Sequence, residues 1–434
     1  MTSPIGWQIR QIDLQQGIPD LEAPSQYRGV YAVFWWGEIP LGHCEISAVE
    51  LPLSTAQLRH RVAATIAPAI AAYNLPDIFW APLPHTPKTV NPTPALETIV
   101  AIDQPLKQLP RPPSCSDSIS VVICTRDRPD QLENCLRSLQ ASPQPPHEIV
   151  VVDNAPKTDA TRQRVEQIPG VQYVLEPRPG LDIARNTGIR HSTGDIVAFT
   201  DDDVQIHPNW LTGIRRAFDN PQNQAMTGLV LPMELETEAQ EIFEQYWSFN
   251  RGYRVLEFDA AYFQQLKPWG VPAWCVGAGA NMAFRRKLFE QVGDFDERLD
   301  VGAAGCSGDS EMWYRIMAAG GTCRYEPTAV VFHQHRRELE SLKQQIFSYM
   351  RGHVTALLIQ FERTGHWGNL RRLFWSLPRF YIRLLGKRFL IGYQLRHSTI
   401  FREIKGCIAG VWFYLLVSLK SVLIRSSPIG TNLP

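Results

Sequence analysis

The stretch SISVVICTRDRPDQLENCLRSL, residues 118–139, decides the fold class. Its first eight residues are a nearly continuous apolar run, which is typical of a parallel strand buried on both faces. Helical spacing of apolar residues follows over residues 130–141 and recurs over residues 158–168. Two further strand-like runs are HEIVVVD at residues 147–153 and DIVAFTD at residues 195–201. We therefore predict an α/β fold, with a mostly parallel sheet flanked by helices and ligands bound beyond the carboxyl ends of the strands.

Polar side chains follow each of these three strands. The strand ends are Thr125-Arg126-Asp127, Asp153-Asn154 and Asp201-Asp202-Asp203. Asp201 and Asp203 share a face because the strand period is two residues. Two carboxylates on one face suit a divalent cation that keeps open positions for phosphate oxygens. A solvated acidic turn would explain the triplet alone, but three polar strand ends together favour a ligand site.

The composition is that of an ordinary globular protein. The chain has 434 residues, enough for two or three domains, and its 44% hydrophobic and 20% charged residues exclude a disordered, collagen-like or coiled-coil chain. The 43 basic and 43 acidic residues cancel, so no nucleic-acid partner is expected. The charge is unevenly distributed, because residues 336–434 carry 16 basic and only 4 acidic residues.

The segments on either side of the predicted sheet indicate two further units. Residues 29–53 are rich in β-branched and aromatic residues with turn signals, which favours a β-hairpin, and residues 55–73 have a helical pattern. Prolines recur over residues 82–113, as in an extended linker. We predict an α+β accessory domain with its linker over residues 1–113, the α/β domain over residues 114–340, and a helical tail over residues 341–434.

A series of motifs resembles the inverting family 2 glycosyltransferases, which have the GT-A fold. The motifs are SVVICTRDRPDQLENCLRSL, HEIVVVDNA, GLDIARNTGI, GDIVAFTDDDV, CVGAGANMAFRR and SGDSEMWYRI. The resemblance covers roughly residues 118–335 and implies transfer of a sugar from a nucleotide-diphosphate sugar to an acceptor hydroxyl, with inversion. The chain lacks the Q-x-x-R-W signature of the processive synthases of this family, so we expect single-sugar addition. Pro156 departs from the family pattern, which usually has Ser at that position.

The resemblance implies a set of donor and metal contacts. Nucleotide or donor contacts fall on Thr125, Arg126, Asp127, Asp153, Arg185, Asn186, Asp201, Asp202 and Gly279. A planar guanidinium such as that of Arg185 pairs well with phosphate oxygens, and uridine is the commonest base in the family, so a UDP-sugar is the expected donor. An exposed helical arginine and a plain glycine turn are the alternatives for Arg185 and Gly279. Asp201 and Asp203 would bind Mn²⁺ or Mg²⁺ together with His333 or His335, of which we favour His333.

The resemblance places the catalytic base at Asp309, with a capping role as the alternative. An inverting transferase needs one carboxylate that takes the proton of the acceptor hydroxyl. Family members usually have Glu-Asp here, whereas this chain has Gly308-Asp309, so its acceptor contacts should differ; Glu311 is the acidic residue expected on the acceptor side. Residues 231–274 are rich in aromatics, which are either core or an acceptor-side wall, and we select Trp274 for the wall.

The C-terminal tail interleaves cations with aromatic and aliphatic residues, which is typical of a helix in a membrane interface. Its longest uncharged run, residues 406–419, is shorter than the about 20 residues that a span needs. A membrane span aided by Lys420 and a soluble oligomer interface are the alternatives. Residues 1–14 lack a secretory signal pattern, and the scattered cysteines suit a reducing compartment. We expect a cytoplasmic protein, peripheral on the inner face of the plasma membrane, with a glycan or lipid-linked acceptor.

Two other functions compete with this one. A sugar nucleotidyltransferase also uses a doubly wound sheet and carboxylates, but it usually has a glycine-rich phosphate loop after its first strand, where this chain has CTRDRP. A nucleotide-sugar-binding protein without turnover would keep the donor motifs and lose the base at Asp309.

Overall fold

The computed structural model describes residues 6–74 and 112–426, and it contains two sheets. The strands are β1 (Gln8–Asp13), β2 (Gly29–Trp36), β3 (Ile39–Ser47), β4 (Ile119–Thr125), β5 (Glu148–Asn154), β6 (Val171–Glu176), β7 (Ile196–Asp201), β8 (Val204–Ile206), β9 (Asn223–Pro232), β10 (Leu256–Phe258), β11 (Asn281–Arg285) and β12 (Thr322–His333). The first three form a small sheet, and the other nine form a central sheet in the order β10-β12-β9-β11-β7-β4-β5-β6, with β8 paired to β12.

Helices cover the central sheet and make up the C-terminal part of the chain. They are α1 (Thr55–Asn74), α2 (Pro129–Gln140), α3 (Ala160–Val165), α4 (Leu181–His191), α5 (Trp210–Ala217), α6 (Glu238–Trp247), α7 (Ala260–Leu266), α8 (Leu288–Val292), α9 (Gly308–Ala318), α10 (Leu339–Thr364), α11 (Trp367–Arg371), α12 (Leu377–Ile391) and α13 (Ile400–Ser426). A π-helical turn, Arg372–Ser376, joins α11 to α12. The predicted α/β architecture is confirmed.

The register of the central strands brings the predicted polar ends together. β4 lies between β5 and β7 and is parallel to both, so Thr125 is opposite Asp153 and Cys124 is opposite Asp201. The apolar residues of these strands are fully buried on both faces, as their continuous apolar runs predicted. The three polar strand ends therefore share one edge of the sheet.

The N-terminal sheet has one strand more than the sequence predicted. β2 and β3 are the expected hairpin and α1 is the expected helix, but β1 pairs parallel with β2. Apolar and polar residues alternate only weakly in β1, and all but one of its side chains are partly buried or exposed. This sheet and the central sheet contribute to one continuous apolar core, and Trp7 forms a β-bridge with Leu235. Of the predicted linker, only residues 112–113 fall within the described residues.

The C-terminal helices pack on one another and beside the central sheet. α10 and α13 lie side by side, and the small residues Gly406 and Gly410 allow α13 to approach the backbone of α10 closely. Within residues 6–74 and 112–426, no helix has the length and apolar character required to cross a bilayer.

Candidate active site

A large open cavity lies beyond the carboxyl ends of the central strands. It has a volume of about 2670 Å³, and the small sheet and the C-terminal helices form its outer walls. Of the residues predicted to form the site, those that line it are Thr125, Arg126, Arg185, Asp201, Asp202, Asp203, Trp274, Gly279, Asp309 and His333. The sheet edge that was predicted from the three strand ends is therefore the floor of this cavity.

The acidic triplet after β7 is held by two partners from the end of β4. The hydroxyl of Thr125 donates to Asp202 Oδ2 at 2.7 Å, and Arg128 Nη1 donates to Asp202 Oδ1 at 3.0 Å and to Asp203 Oδ2 at 3.2 Å. Burial and the nearby Asp203 raise the pKa of Asp202. Sequence reasoning missed Arg128, although its position two residues after the strand-end Arg126 placed it on the same edge.

Asp201, Asp203 and His333 form a candidate cation site. One ligand atom from each lies within 4.8 Å of the others, and His333 Nε2 is 3.4 Å from Asp203 Oδ1. Burial and Asp203 raise the pKa of Asp201 to about 7, while burial lowers the pKa of His333 to about 4. Two crowded carboxylates and a neutral imidazole are a donor set that a divalent cation would stabilise. The structure thus places His333, rather than His335, against the carboxylates.

His335 lies behind His333 and continues into a buried chain of hydrogen bonds. The two Nδ1 atoms are 3.1 Å apart, and His335 Nε2 is 3.2 Å from Glu244 Oε2. Glu244, on α6, also accepts from the hydroxyls of Tyr31 at 3.3 Å and Ser248 at 3.1 Å. One proton arrangement satisfies the whole chain: His333 Nδ1–H donates to His335, whose Nε2–H donates to the carboxylate. That arrangement leaves the Nε2 lone pair of His333 facing the acidic site.

Arg185 lies in a buried ionic cluster rather than on an exposed helix face. Its Nη1 donates to Asp182 at 2.9 Å and to Asp300 at 2.6 Å. Asp182 keeps one buried oxygen without a partner among the described residues, and burial raises its pKa well above the usual range. A Cβ at Gly308 would lie 2.0 Å from that oxygen, so the start of α9 approaches the cluster as only glycine allows. Any larger side chain at position 308 would have to displace Asp182.

Asp309 is oriented by three donors at the N-terminus of α9. The backbone N–H of Gly279 donates to Oδ2 at 2.8 Å, and the backbone N–H and hydroxyl of Ser310 donate to Oδ1 at 2.6 and 3.1 Å. Burial and the nearby Asp300 raise the pKa of Asp309. A Cβ at Gly279 would lie 2.8 Å from Arg185 Nη2 and 3.2 Å from Asp309 Oδ2, so Gly279 lies between Asp309 and the arginine cluster. A fixed carboxylate with a raised pKa is suited to accept a proton.

Three predicted donor residues are used within the protein. Asp127 accepts a hydrogen bond from the backbone N–H of Lys157 at 2.8 Å. The side-chain amide of Asn186 donates to the backbone carbonyl of Phe295 and accepts from its backbone N–H. Asp153 is fully buried; it accepts from Tyr173 at 3.0 Å and keeps its other oxygen unpartnered among the described residues. Burial raises the pKa of Asp153 to about 6. None of the three lines the cavity, although each lies next to a residue that does: Arg126, Asn154 and Arg185.

The two predicted acceptor-side residues have different environments. Trp274 lines the cavity, as expected. Glu311 does not: it is fully buried, its Oε2 accepts from Arg315 Nε at 2.8 Å, and Arg363 is 3.6 Å from its other oxygen. Glu311 is the fourth residue of α9, and the helix turns its side chain into the core, so the structure does not bring it to the cavity.

Comparison with known proteins gives a consistent result. The sequence model of the family described as Glycosyl transferase family 2 matches residues 120–293. The pre-mycofactocin glycosyltransferase of Mycobacterium tuberculosis is 28% identical over 238 residues, so the match spans 53% of this chain and about half, 46%, of that relative. Glycosyltransferase AglE of Haloferax volcanii is 26% identical over 273 residues, which cover 60% of this chain and 81% of that protein.

A similar solved structure is that of the mannosyltransferase PcManGT from Pyrobaculum calidifontis, in complex with GDP-Man and Mn²⁺. It aligns with 72% of this chain and 94% of that chain, at 18% identity and a TM-score of 0.45. The order of the motifs, the strand-end carboxylates in one cavity and the family match agree with the resemblance seen in the sequence. Residues 120–293 thus match the model of glycosyl transferase family 2, and the central sheet with its flanking helices agrees with the GT-A fold that the resemblance implies.

Proposed function

We propose that the protein is a metal-dependent, inverting glycosyltransferase that moves one sugar from a nucleoside-diphosphate sugar to an acceptor hydroxyl. The observation that carries this proposal is the placement of the candidate cation ligands Asp201, Asp203 and His333 in the same cavity as Asp309. The family match over residues 120–293 supports the reaction class. Uridine is the commonest base in the family that the sequence resembles, which favours a UDP-sugar as donor.

Asp201, Asp203 and His333 would hold Mn²⁺ or Mg²⁺. Two carboxylate oxygens and one imidazole nitrogen fit Mn²⁺ better than Mg²⁺, because Mg²⁺ prefers an all-oxygen shell. When bound, the cation would supply positive charge that stabilises the leaving diphosphate. Arg128 already donates to the neighbouring Asp202 and Asp203, so the protein orients the carboxylates on its own.

Asp309 would act as the base. In a single displacement, the acceptor oxygen forms a bond to the anomeric carbon as the bond to the diphosphate breaks, and the hydroxyl proton passes to Asp309. The attack comes from the face opposite the leaving group, so the configuration inverts. The backbone of Gly279 and Ser310 fixes the carboxylate, which meets the geometric demand on a general base.

The C-terminal helices would attach the protein to a membrane surface. Apolar side chains are exposed on the π turn and α12, among them Phe374, Trp375, Phe380, Ile382, Phe389 and Leu390. They are interleaved with cations, and residues 336–434 carry 16 basic and 4 acidic residues. Such a surface fits the headgroup layer of an anionic bilayer. We propose a peripheral position on the inner face of the plasma membrane and a glycan or lipid-linked acceptor.

The test of the reaction is release of nucleoside diphosphate from UDP-, GDP- and dTDP-sugars, with Mn²⁺ or with EDTA. We expect metal-dependent release by the wild type and its loss in Asp203→Ala. Asp130→Ala is the matched control, since that carboxylate is exposed and makes only a surface ion pair with Arg164. Pyrophosphate as the product would instead identify a nucleotidyltransferase, and nucleotide binding without turnover would identify a sugar-binding protein.

A further inference from the structure

Two arginines without carboxylate partners flank Trp274 in the cavity wall. The guanidinium carbon of Arg372 lies 3.9 Å from the centroid of the Trp274 ring, and Arg251 Nη2 donates to the Trp274 backbone carbonyl at 3.0 Å. Both arginines line the cavity. Neither forms an ion pair with a carboxylate in the part of the chain that the structure describes, whereas Arg128, Arg185 and Arg396 of the same cavity do.

The guanidinium of Arg372 has donors left over. Its Nε is 3.4 Å from His353 Nε2, and its two terminal nitrogens have no hydrogen-bond partner within residues 6–74 and 112–426. Burial lowers the pKa of Arg372 to about 10, and burial lowers the pKa of His353 to about 3, so the arginine keeps its charge at neutral pH beside a neutral histidine. A charged fork stacked on an indole, with its terminal donors free, is a preformed site for an oxyanion.

The surroundings of this pair separate it from the donor side. Arg372 belongs to the π turn of the C-terminal part, whereas Asp201 and Asp203 belong to the end of β7. Apolar side chains from α12 continue the cavity wall next to the π turn, among them Leu377 and Phe380. The cation ligands and Arg372 therefore line one cavity from different elements of the chain, and Arg372 has apolar side chains next to it.

We propose that Arg372 forms an acceptor subsite for a phosphate ester, with Arg251, whose terminal nitrogens donate to the backbone carbonyls of Ser248 and Trp274, adding a second positive charge beside Trp274. This inference rests on the proposed function, because it names the chemical class of the acceptor: a molecule with a hydroxyl for glycosylation and a phosphate group held over Trp274. The phosphate could belong to a lipid or to a free phosphorylated sugar. The apolar continuation along α12 favours the lipid source.

The experiment measures binding of n-octyl phosphate to the full chain, in EDTA, by quenching of tryptophan fluorescence. Arg372→Gln should weaken binding about tenfold to a hundredfold, as expected for loss of charge-assisted hydrogen bonds. Arg371→Gln is the matched control. Arg371 is the residue before Arg372, but its guanidinium stacks on the exposed ring of Trp269 and does not line the cavity. Neutral n-octyl glucoside should bind all variants equally.

Each outcome bears on the inference. Equal weakening by Arg371→Gln and Arg372→Gln, or no weakening by Arg372→Gln, would overturn it. Arg372→Lys keeps the positive charge and loses the planar pair of terminal N–H donors. An intermediate affinity of this variant would support the inference even if the glutamine variant were unstable. Octyl phosphate binding far more tightly than methyl phosphate indicates a lipid phosphate, and equal binding indicates a free sugar phosphate. Nucleotide binding with Mn²⁺ is measured separately, so loss of the proposed reaction is distinguishable from loss of this subsite.

Discussion

Replacing Glu244 by Gln should weaken metal binding, although Glu244 is not one of the candidate metal ligands. Glu244 accepts from His335, which in turn holds Nδ1 of His333. Glutamine keeps the shape of the side chain and one oxygen acceptor, and it loses the negative charge. The hydrogen bond from His335 then becomes neutral, and the Nε2 lone pair of His333 becomes less basic and less firmly oriented.

The size of the effect follows from the position of Glu244 in the chain of hydrogen bonds. Partners that orient a metal-binding histidine typically contribute 10- to 100-fold in metal affinity. Because glutamine still accepts from His335, we expect about tenfold, or roughly 1.4 kcal/mol, for Glu244→Gln. His335→Phe removes the acceptor for the His333 Nδ1–H altogether, so we expect a loss nearer to 100-fold. The phenyl ring should be tolerated, since His335 already packs against Phe243 and Phe249.

Titration of the full chain with Mn²⁺, monitored by the EPR signal of the free ion, measures this affinity directly. Glu257→Gln is the control, because this exposed carboxylate lines the same cavity and pairs with Arg324 rather than with a histidine. If Glu244→Gln binds Mn²⁺ as tightly as the wild type while Asp203→Ala does not bind it, the reasoning about the hydrogen-bond chain is wrong. If the wild type itself fails to bind Mn²⁺, the proposed cation site is wrong instead.

Three further predictions concern the base and its support. Asp309→Asn should lower kcat by about 10²- to 10⁴-fold with donor binding unchanged, as measured by turnover and by nucleotide titration, because the amide cannot take the proton. Burial and a neighbouring carboxylate raise the pKa of Asp309, so protonation should inactivate it at a pH above the ordinary carboxyl range. As the pH is lowered, kcat/KM should therefore begin to fall at that higher pH. If Asp309→Glu does not shift the pH at which this fall begins, the assignment is wrong. Gly308→Ala should destabilise the protein by about 1–3 kcal/mol in urea unfolding, because the added Cβ would lie 2.0 Å from Asp182 Oδ2; unchanged stability would show that the contact relaxes freely.

The sequence predicted those parts of the site that follow from periodicity and strand order. Apolar runs that end in polar residues placed Thr125 and the acidic triplet at one edge, and the spacing of the AVVFHQH motif placed His333 at the end of a strand. Asp309 came from the motif resemblance, and the structure places it in the cavity with the triplet. The placement of Thr125 and the acidic triplet could be predicted because it needs only local structure and the parallel order of neighbouring strands.

Long-range pairing was beyond the sequence. Glu244 lies 91 residues before its partner His335, and Arg185 meets Asp300 across 115 residues, so no local pattern connects them. Glu311 was assigned to the acceptor side because it follows Asp309 by two residues, and the helix turned it into the core. The weakly alternating strand β1 was missed because its stability depends on pairing with β2 rather than on its own residues.

The core shared by the two sheets has a consequence for folding. Trp7 pairs with Leu235 across the boundary, and the ring of Tyr31 stacks on His43, whose Nδ1 lies 2.8 Å from the hydroxyl of Tyr253. Separating the sheets would expose these surfaces to water at once, so the free energy of opening the boundary approaches that of unfolding either side. The chain should therefore melt cooperatively, and the order of residues 6–50 is thermodynamically linked to the order of the cavity floor.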